Sequence, residues 1–160
     1  MTDGSGTDDV LLDYREAEES DLDALVSLLA DDALGADRED STRPLNPRYH
    51  AALQAIRQDN NNELIVVESD GELVGMLQLT FIPSLSRLGS WRCQIEGVRI
   101  SAPFRGRGCG TAVFRWAIAR ARTRDCQLVQ LTSDKQRPDA IRFYESLGFK
   151  STHEGLKLAL

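Results

Sequence analysis

The chain has 160 residues, a formal net charge of −6, 41% apolar residues and 28% charged residues, which is the composition of an ordinary globular protein. No apolar run approaches the roughly 20 residues of a membrane span, and an acidic chain is poorly suited to general nucleic-acid binding. We therefore expect a cytoplasmic protein with no membrane and no nucleic-acid partner.

The amino terminus, "MTDGSGTDDV", is acidic and polar, and residues 1–9 are predicted to be a disordered leader rather than a secretory signal. A single domain is expected over residues 10–160, because this length is enough for one core. It begins with a strand over 10–16. A helix follows in "EESDLDALVSLLADD", where apolar residues repeat at helical spacing. Pro47 is suited to the first turn of a second helix, over residues 47–58.

The segments "ELIVVES" and "ELVGMLQLTFIP", joined by Asp70 and Gly71, predict a β-hairpin. The next strand, "SWRCQIEGVRI", ends at Ile100, and Gly97 near its end indicates a β-bulge. A third helix is predicted from about residue 109 to 124. It leads into "CQLVQLTS", a strand apolar enough to be buried on both faces.

Pro138 opens a fourth helix, which Gly148 ends. The remaining segment, "FKSTHEGLKLAL", is predicted to close the chain as one or two short strands. The order β-α-α-β-β-β-α-β-α-β predicts an α/β fold (an α+β mixed sheet). Six or seven strands would be flanked by about four helices, placed on both faces of the sheet.

Three glycines, Gly106, Gly108 and Gly110, lie within five residues between the fourth strand and the third helix. A strand that enters a glycine-rich turn and then a helix presents unpaired N–H groups at a positive helix end. Glycine leaves room for a phosphate there and permits a backbone that points successive donors inward. The segment therefore predicts a phosphate-binding loop, with an ordinary tight turn as the alternative. For Arg105 and Arg107, beside the glycines, an anion is the better interpretation than a solvated face.

Residues 105–110, "RGRGCG", resemble the Q/R-x-x-G-x-G/A loop of the GCN5-related N-acetyltransferases, the GNAT family. The preceding "IEGVRI" and the later "AIRFYESLGF" resemble the same family, and the similarity extends from about Leu11 onward. The resemblance implies the GNAT acyl-CoA N-acyltransferase fold, acetyl-CoA as co-substrate and an enzyme that acetylates an amine.

In the family that the chain resembles, acetyl-CoA lies where two parallel strands separate. The backbone of Val98 and Ile100 would pair with the pantetheine arm, and the Val98 N–H would polarise the thioester carbonyl. The N–H groups of residues 105–110 would hold the pyrophosphate, with the Thr111 hydroxyl as a further donor. The residues expected to bind the cofactor are Val98, Arg99, Ile100, Arg105, Gly106, Arg107, Gly108, Cys109, Gly110 and Thr111.

Two catalytic residues are implied by position. Glu96 would act as the general base, directly or through a water, with a solvated strand carboxylate as the alternative. Tyr144 matches the general acid of the family and would protonate the departing thiolate, with a core tyrosine as the alternative. Arg137 stands where many relatives have an asparagine that contacts the cofactor, which puts that contact in doubt.

The acceptor is expected to be a primary amine of a small molecule, and polyamines, aminoglycosides, amino acids and protein N-termini are not ranked. Two alternatives stay open: a catalytically degenerate acyl-CoA-binding sensor or interaction module, and a protein-amine acetyltransferase. Dimers are common in the family, so a homodimer is a further expectation. Five acids are either an attractor for a cationic amine or a solvated loop: Asp31, Asp32, Asp37, Glu39 and Asp40.

The three cysteines form no CxxC pair, and His50 and His153 are isolated. This pattern predicts neither a disulfide framework nor a metal site. Cys109 lies at a predicted helix N-terminus, where it is interpreted as a small packing residue rather than a nucleophile.

Overall fold

The computed structural model describes residues 10–160, so the predicted leader, residues 1–9, lies outside the described part of the chain. Within it, one five-stranded mixed sheet has the order β1-β2-β3-β4-β5. The first four strands are antiparallel, and β5 runs parallel to β4. The strands are β1 (Asp13–Glu16), β2 (Asn62–Ser69), β3 (Glu72–Pro83), β4 (Trp91–Ile100) and β5 (Cys126–Gln130).

Residues 10–160 form five α-helices, four of which lie between strands and one of which follows β5. The third is a single turn in which Arg87 and Leu88 have left-handed backbone angles, with φ of 55° and 60°. The others start close to the predicted positions. α2 has Pro47 in its first turn, as the sequence indicated, and Asn46 is its N-cap. The helices are α1 (Leu22–Ala30), α2 (Pro47–Gln58), α3 (Ser86–Gly89), α4 (Cys109–Thr123) and α5 (Pro138–Ser146).

The sheet is covered on both faces, which confirms the predicted α/β architecture. One buried cluster joins the sheet to α4, with Leu77, Leu79, Cys93 and Val113 all at 0% exposure, and α5 packs against its edge. A second cluster joins the opposite face to α1 and α2. No helix formed by residues 10–160 is long and apolar enough to cross a membrane.

The expectations for the last part of the chain were wrong in two respects. β5 is not buried on both faces, since Leu128 is 39% exposed and β5 is an edge strand of the sheet. Residues 150–160 form no strand and are exposed, with Leu156 at 94% and Leu158 at 86%. The two differences have one cause, because β5 would be enclosed only if a further strand paired with its free edge. The sheet therefore has five strands where six or seven were expected.

Candidate functional site

The glycine-rich loop joins the end of β4 to the start of α4. Gly106 and Gly108 have φ of 71° and 80°, a conformation that favours glycine. A Cβ added at either position would meet no atom within 4 Å. These glycines are therefore not required by packing, and the space beside the backbone is open.

The main-chain donors of this loop divide at Gly106. The Arg105 N–H, which was expected to hold the pyrophosphate, donates instead to the Ala102 carbonyl at 3.3 Å. The first backbone hydrogen bond of α4 runs from Ala112 N–H to the Gly108 carbonyl, at 3.1 Å. Within residues 10–160, the six consecutive N–H groups of residues 106–111 have no hydrogen-bond acceptor. Six free donors at the positive end of a 15-residue helix are an arrangement that suits an anion.

The two loop arginines point in different directions. The Arg105 guanidinium folds back to donate to the Ile100 carbonyl at 2.8 Å and reaches Asp31 at 3.3 Å. Arg107 lies over the Phe104 ring, 5.2 Å from its centroid, in an exposed position. Arg107 is consequently the loop arginine whose charge is available to a ligand.

β4 and β5 separate beside this loop. Their pairing ends at Gln94 and Gln130, whereas β4 continues to Ile100 along β3. The β5-facing edge of residues 95–100 therefore has no partner strand in the described structure. Two carbonyls in this stretch accept hydrogen bonds from side chains: the Val98 oxygen from Arg99 at 2.9 Å and the Ile100 oxygen from Arg105 at 2.8 Å.

A β-bulge determines which way the β4 side chains face. Gly97 has φ of 61°, and the register with β3 shifts between the pairs Glu96–Gln78 and Arg99–Met76, as the sequence predicted. The extra residue returns Val98 to the α4 side of the sheet, where it packs against the core. Glu96 and Arg99 consequently share the opposite face, with Glu96 exposed and Arg99 half-buried.

Tyr144 lies on the α4 side, opposite Glu96. Its ring packs edge-on against Phe114 and Phe149, with centroid distances of 5.4 and 6.1 Å. Burial raises the pKa of the Tyr144 phenol, although the positive charges of Arg137 and Arg99 lower it in part. The two expected catalytic side chains thus flank the sheet from different faces, and the phenol stays protonated at neutral pH.

Asp32 connects elements that are far apart in the sequence. Its Oδ2 lies 3.0 Å from Arg99 Nε on β4 and 3.2 Å from Arg137 Nη2 before α5. Its Oδ1 accepts the N–H groups of Leu34 and Gly35, at 2.9 and 2.6 Å. Burial raises the pKa of Asp32, but the Gly35 N–H and the two guanidiniums outweigh it, so the pKa lies below its usual range.

Sequence reasoning did not find this arrangement. Positions 32, 99 and 137 share no motif, and only the replacement of a family asparagine by Arg137 gave a signal. Three of the other four acids have their own partners: Asp31 pairs with Arg105, Glu39 accepts from Tyr49, and Asp40 accepts from Thr42. These contacts weaken the interpretation of the loop as an acidic attractor for cations.

The remaining predicted residues occupy ordinary positions. Cys109 is buried at 2% exposure, and Thr111 is half-buried in the first turn of α4. Across residues 10–160, no group of three or more histidine, cysteine or acidic side chains is arranged to hold a metal. The expectation that the protein has no metal site stays a prediction.

Known proteins resemble the chain over most of its length. The model of the acetyltransferase (GNAT) family matches residues 22–149. An aminoalkylphosphonate N-acetyltransferase of Salmonella typhimurium (strain LT2) is 33% identical over 84 residues, which are 52% of this chain and 54% of that protein. The match therefore spans about half the length of that curated relative.

Two solved structures share the fold over nearly the whole chain. A transcriptional regulator from Bacillus halodurans C-125 is 54% identical with a TM-score of 0.90, covering 94% of this chain and 100% of its own. An acetyltransferase of Trypanosoma brucei is 28% identical with a TM-score of 0.74, over 94% and 100% of the two chains. A phosphate-type loop beside separated parallel strands, together with a family match over most of the sequence, places this chain in the acetyltransferase (GNAT) family.

Proposed function

We propose that the protein is an acetyl-CoA-dependent N-acetyltransferase that transfers an acetyl group directly to a primary amine of a small molecule. The observation that carries this proposal is a row of six N–H groups over residues 106–111, at the N-terminus of α4, that have no acceptor in the described part of the chain. Such a row suits the diphosphate of coenzyme A, because it offers several donors and a positive helix end to one anionic group.

The glycines support the same placement. The space beside Gly106 and Gly108 is open, and a side chain at either position would enter it. Arg107 adds a positive charge at the exposed side of the loop. The residues present therefore fit a diphosphate held mainly by the backbone.

The free edge of β4 suits the rest of the cofactor. Among residues 10–160, no strand pairs with the β5-facing edge of residues 95–100 next to the loop, so an extended pantetheine arm can lie along it as a short added strand. The Val98 N–H would then donate to the thioester carbonyl and stabilise the charge that develops on its oxygen. The Val98 carbonyl already accepts from Arg99, so the strand pairing would rely on its N–H groups.

The proposed chemistry needs one base and one acid. The amine nitrogen forms a bond to the acetyl carbon as the carbon–sulfur bond breaks. Glu96, exposed on β4, takes a proton from the nitrogen directly or through a water. Tyr144 gives its phenolic proton to the departing thiolate, which leaves as the free thiol of coenzyme A, and the phenol is restored from solvent. The products are the N-acetylated amine and coenzyme A.

A small acceptor is favoured by one comparison. The relative from Salmonella typhimurium is named for a small-molecule amine, and we carry the size of that acceptor, not its identity, to this chain. Acetylation of a protein amine is the competing acceptor class.

Replacing Gly108 by alanine tests the placement of the diphosphate. Gly89 provides a matched control, since it also has a left-handed φ, 70°, and also has no atom within 4 Å of an added Cβ. Both variants should lose about 1 kcal/mol of stability through backbone strain. Only Gly108→Ala should weaken coenzyme A binding, by about tenfold or more in calorimetric titration. Equal affinity of the two variants for coenzyme A would contradict the proposed site.

A second candidate function is an acyl-CoA-binding regulator without turnover. The observation that favours it is the name of the Bacillus halodurans protein, a transcriptional regulator. The two functions differ in coenzyme A release. The regulator is the correct assignment if three results coincide. Acetyl-CoA binds tightly, no amine in a broad panel speeds the release of coenzyme A, and Tyr144→Phe leaves the rate of that release unchanged.

A further inference from the structure

A cluster of three charged side chains, Arg99, Arg137 and Asp32, lies at the separated ends of β4 and β5. Arg99 belongs to β4 and Arg137 directly precedes α5, so the two guanidiniums approach the cleft from its two sides. Asp32 lies 3.0 Å from one and 3.2 Å from the other. The cluster therefore lies beside the proposed reaction site.

The cluster has an excess of positive charge. Two guanidiniums face one carboxylate, and that carboxylate also accepts two backbone N–H groups. The low pKa of Asp32 keeps it ionised, so the net charge of the three side chains is +1. A cationic acceptor such as a polyamine is disfavoured beside this surplus.

The hydrogen-bond donors of the cluster are also only partly used. Arg99 Nε and Asp32 Oδ2 are buried and, within residues 10–160, neither makes a well-aligned hydrogen bond, although they are 3.0 Å apart. Arg137 has a side chain that is 43% exposed and, among the described residues, pairs with one carboxylate, that of Asp32. Both guanidiniums thus retain donors for a further acceptor, and a planar guanidinium suits an oxyanion.

The distance between Glu96 and the cluster limits the length of an acceptor that could reach both. Glu96 and Arg99 lie on the same face of β4, on either side of the bulge, and their partners on β3 are Gln78 and Met76. Since those partners are two residues apart, the spacing along the strand is about 7 Å. A short molecule with opposite charges at its two ends matches this spacing.

We infer that the acceptor is a short-chain amine that carries an anionic oxygen group, a carboxylate or a phosphonate. Arg99 and Arg137 bind the anionic group, and the ammonium end lies toward Glu96, where it loses its proton before acetyl transfer. This inference rests on the proposed function and specifies the substrate class of that site. It ranks short acidic amines above polyamines and aminoglycosides.

Steady-state kinetics with matched acceptors tests the inference. The panel is 2-aminoethylphosphonate, β-alanine, n-propylamine and spermidine, which share a primary amine and differ in the charge of the other end. At least one of the two acidic amines should have a kcat/KM about tenfold or more above that of propylamine. The phosphonate and carboxylate arms show which anionic group is preferred.

Substitution of Arg137 separates acceptor binding from cofactor binding. Arg137→Gln should raise the KM of the acidic amine about tenfold and leave the KM of acetyl-CoA within about twofold. Arg137→Lys should restore part of the affinity, because it keeps the charge without the planar fork. Arg142→Gln is the control, since Arg142 pairs with exposed Asp139 on the surface of α5.

The outcomes are distinct. If propylamine or spermidine is used as well as both acidic amines, or Arg137→Gln changes the KM of acetyl-CoA instead, the inference is overturned while the N-acetyltransferase assignment stands. If no amine is acetylated, the proposed function fails. In that case, calorimetric titration of the two acidic amines into the coenzyme A complex tests the acceptor class by itself. If neither amine binds, the inference is overturned as well.

Discussion

The Glu63 carboxylate on β2 accepts two hydrogen bonds from the Arg120 guanidinium on α4, at 3.0 Å from Nε and 2.6 Å from Nη2. Arg124 reaches the same carboxylate at 3.2 Å, and the Glu63 side chain is only 7% exposed. This ion pair fixes the C-terminal part of α4 to the sheet, and the N-terminus of the same helix carries the candidate site.

Glu63→Gln should therefore destabilise the protein. The variant leaves two arginines with a neutral partner and removes charge-assisted hydrogen bonds, which costs about 1 to 3 kcal/mol. The free energy of unfolding, measured by urea titration with circular dichroism, should fall by that amount. Asp139→Asn breaks an ion pair whose side chains are 75% and 92% exposed and should change it by less than about 0.5 kcal/mol. Similar losses in the two variants would show that burial of Glu63 adds nothing.

Gly75 lies on β3 opposite Ile100, where the two strands approach closely. A Cβ at this position would lie 2.8 Å from the Arg99 carbonyl oxygen and 3.0 Å from Ile100 Cδ1. Since backbone atoms cannot move aside cheaply, Gly75→Ala should cost about 1 to 3 kcal/mol of stability. It should also weaken coenzyme A binding, because the displaced strand carries residues 98–100.

The control for this variant is Gly155→Ala. Its added Cβ would meet Thr132 Cγ2 at 3.6 Å, an ordinary contact, so stability should change by less than about 0.5 kcal/mol. Thermal unfolding and calorimetric titration measure the two effects. Unchanged stability of Gly75→Ala would mean that the β3 and β4 backbones adjust more easily than their spacing indicates.

Tyr14 should make the free energy of unfolding depend on pH in the alkaline range. Burial, and secondarily the nearby Cys109, raises the pKa of Tyr14 to about 12. Below pH 10 the phenol is protonated in both the folded and the unfolded chain. Between about pH 10 and 12 the unfolded chain loses the proton first, so stability falls as pH rises, by at most about 1.4 kcal/mol per pH unit.

Tyr14→Phe should remove this part of the pH dependence. Urea unfolding at pH 9, 10 and 11 should give a shallower decline for the variant than for the wild-type protein. Other groups, such as buried Cys93 with its pKa raised to about 12, contribute equally to both. Parallel declines would show that the Tyr14 phenol ionises as readily in the folded state as in the unfolded chain.

Tyr144→Phe should lower kcat and leave acetyl-CoA binding intact. The variant removes only the hydroxyl, so the edge-on packing with Phe114 is kept. Loss of a general acid costs about 100-fold in kcat, and the KM of acetyl-CoA should stay within about twofold. Burial raises the pKa of Tyr144 above its ordinary value, which is about 10. Ionisation of this residue should therefore cause no loss of wild-type kcat at pH values up to about 10. A kcat within threefold of wild type would leave Tyr144 as a packing residue.

The features that the sequence predicted are those with local causes. The hairpin at Asp70 and Gly71, the bulge at Gly97 and the helix start at Pro47 each depend on a few adjacent residues, and the structure confirms all three. The loop glycines Gly106 and Gly108 likewise have the left-handed backbone that their clustering indicated.

The features that the sequence did not predict depend on distant residues. Burial of β5 requires a neighbour at the edge of the sheet, and no pattern within "CQLVQLTS" shows whether residues 150–160 supply it. Asp32 meets Arg99 and Arg137 only after the sheet and α5 are assembled. The acidity of residues 31–40 left two interpretations open, an attractor for a cationic amine or a solvated loop, and the partners of Asp31, Glu39 and Asp40 were not visible in the sequence.

Tyr14 on β1 stacks on Trp116 of α4, with centroids 4.5 Å apart and ring planes within 5° of parallel. The chain has only one other tryptophan, Trp91, at the start of β4. Replacing Trp91 by phenylalanine would leave a single indole, whose fluorescence emission then reports whether the first strand is docked. The protein thus contains its own optical probe for the attachment of its amino-terminal strand, with no attached dye.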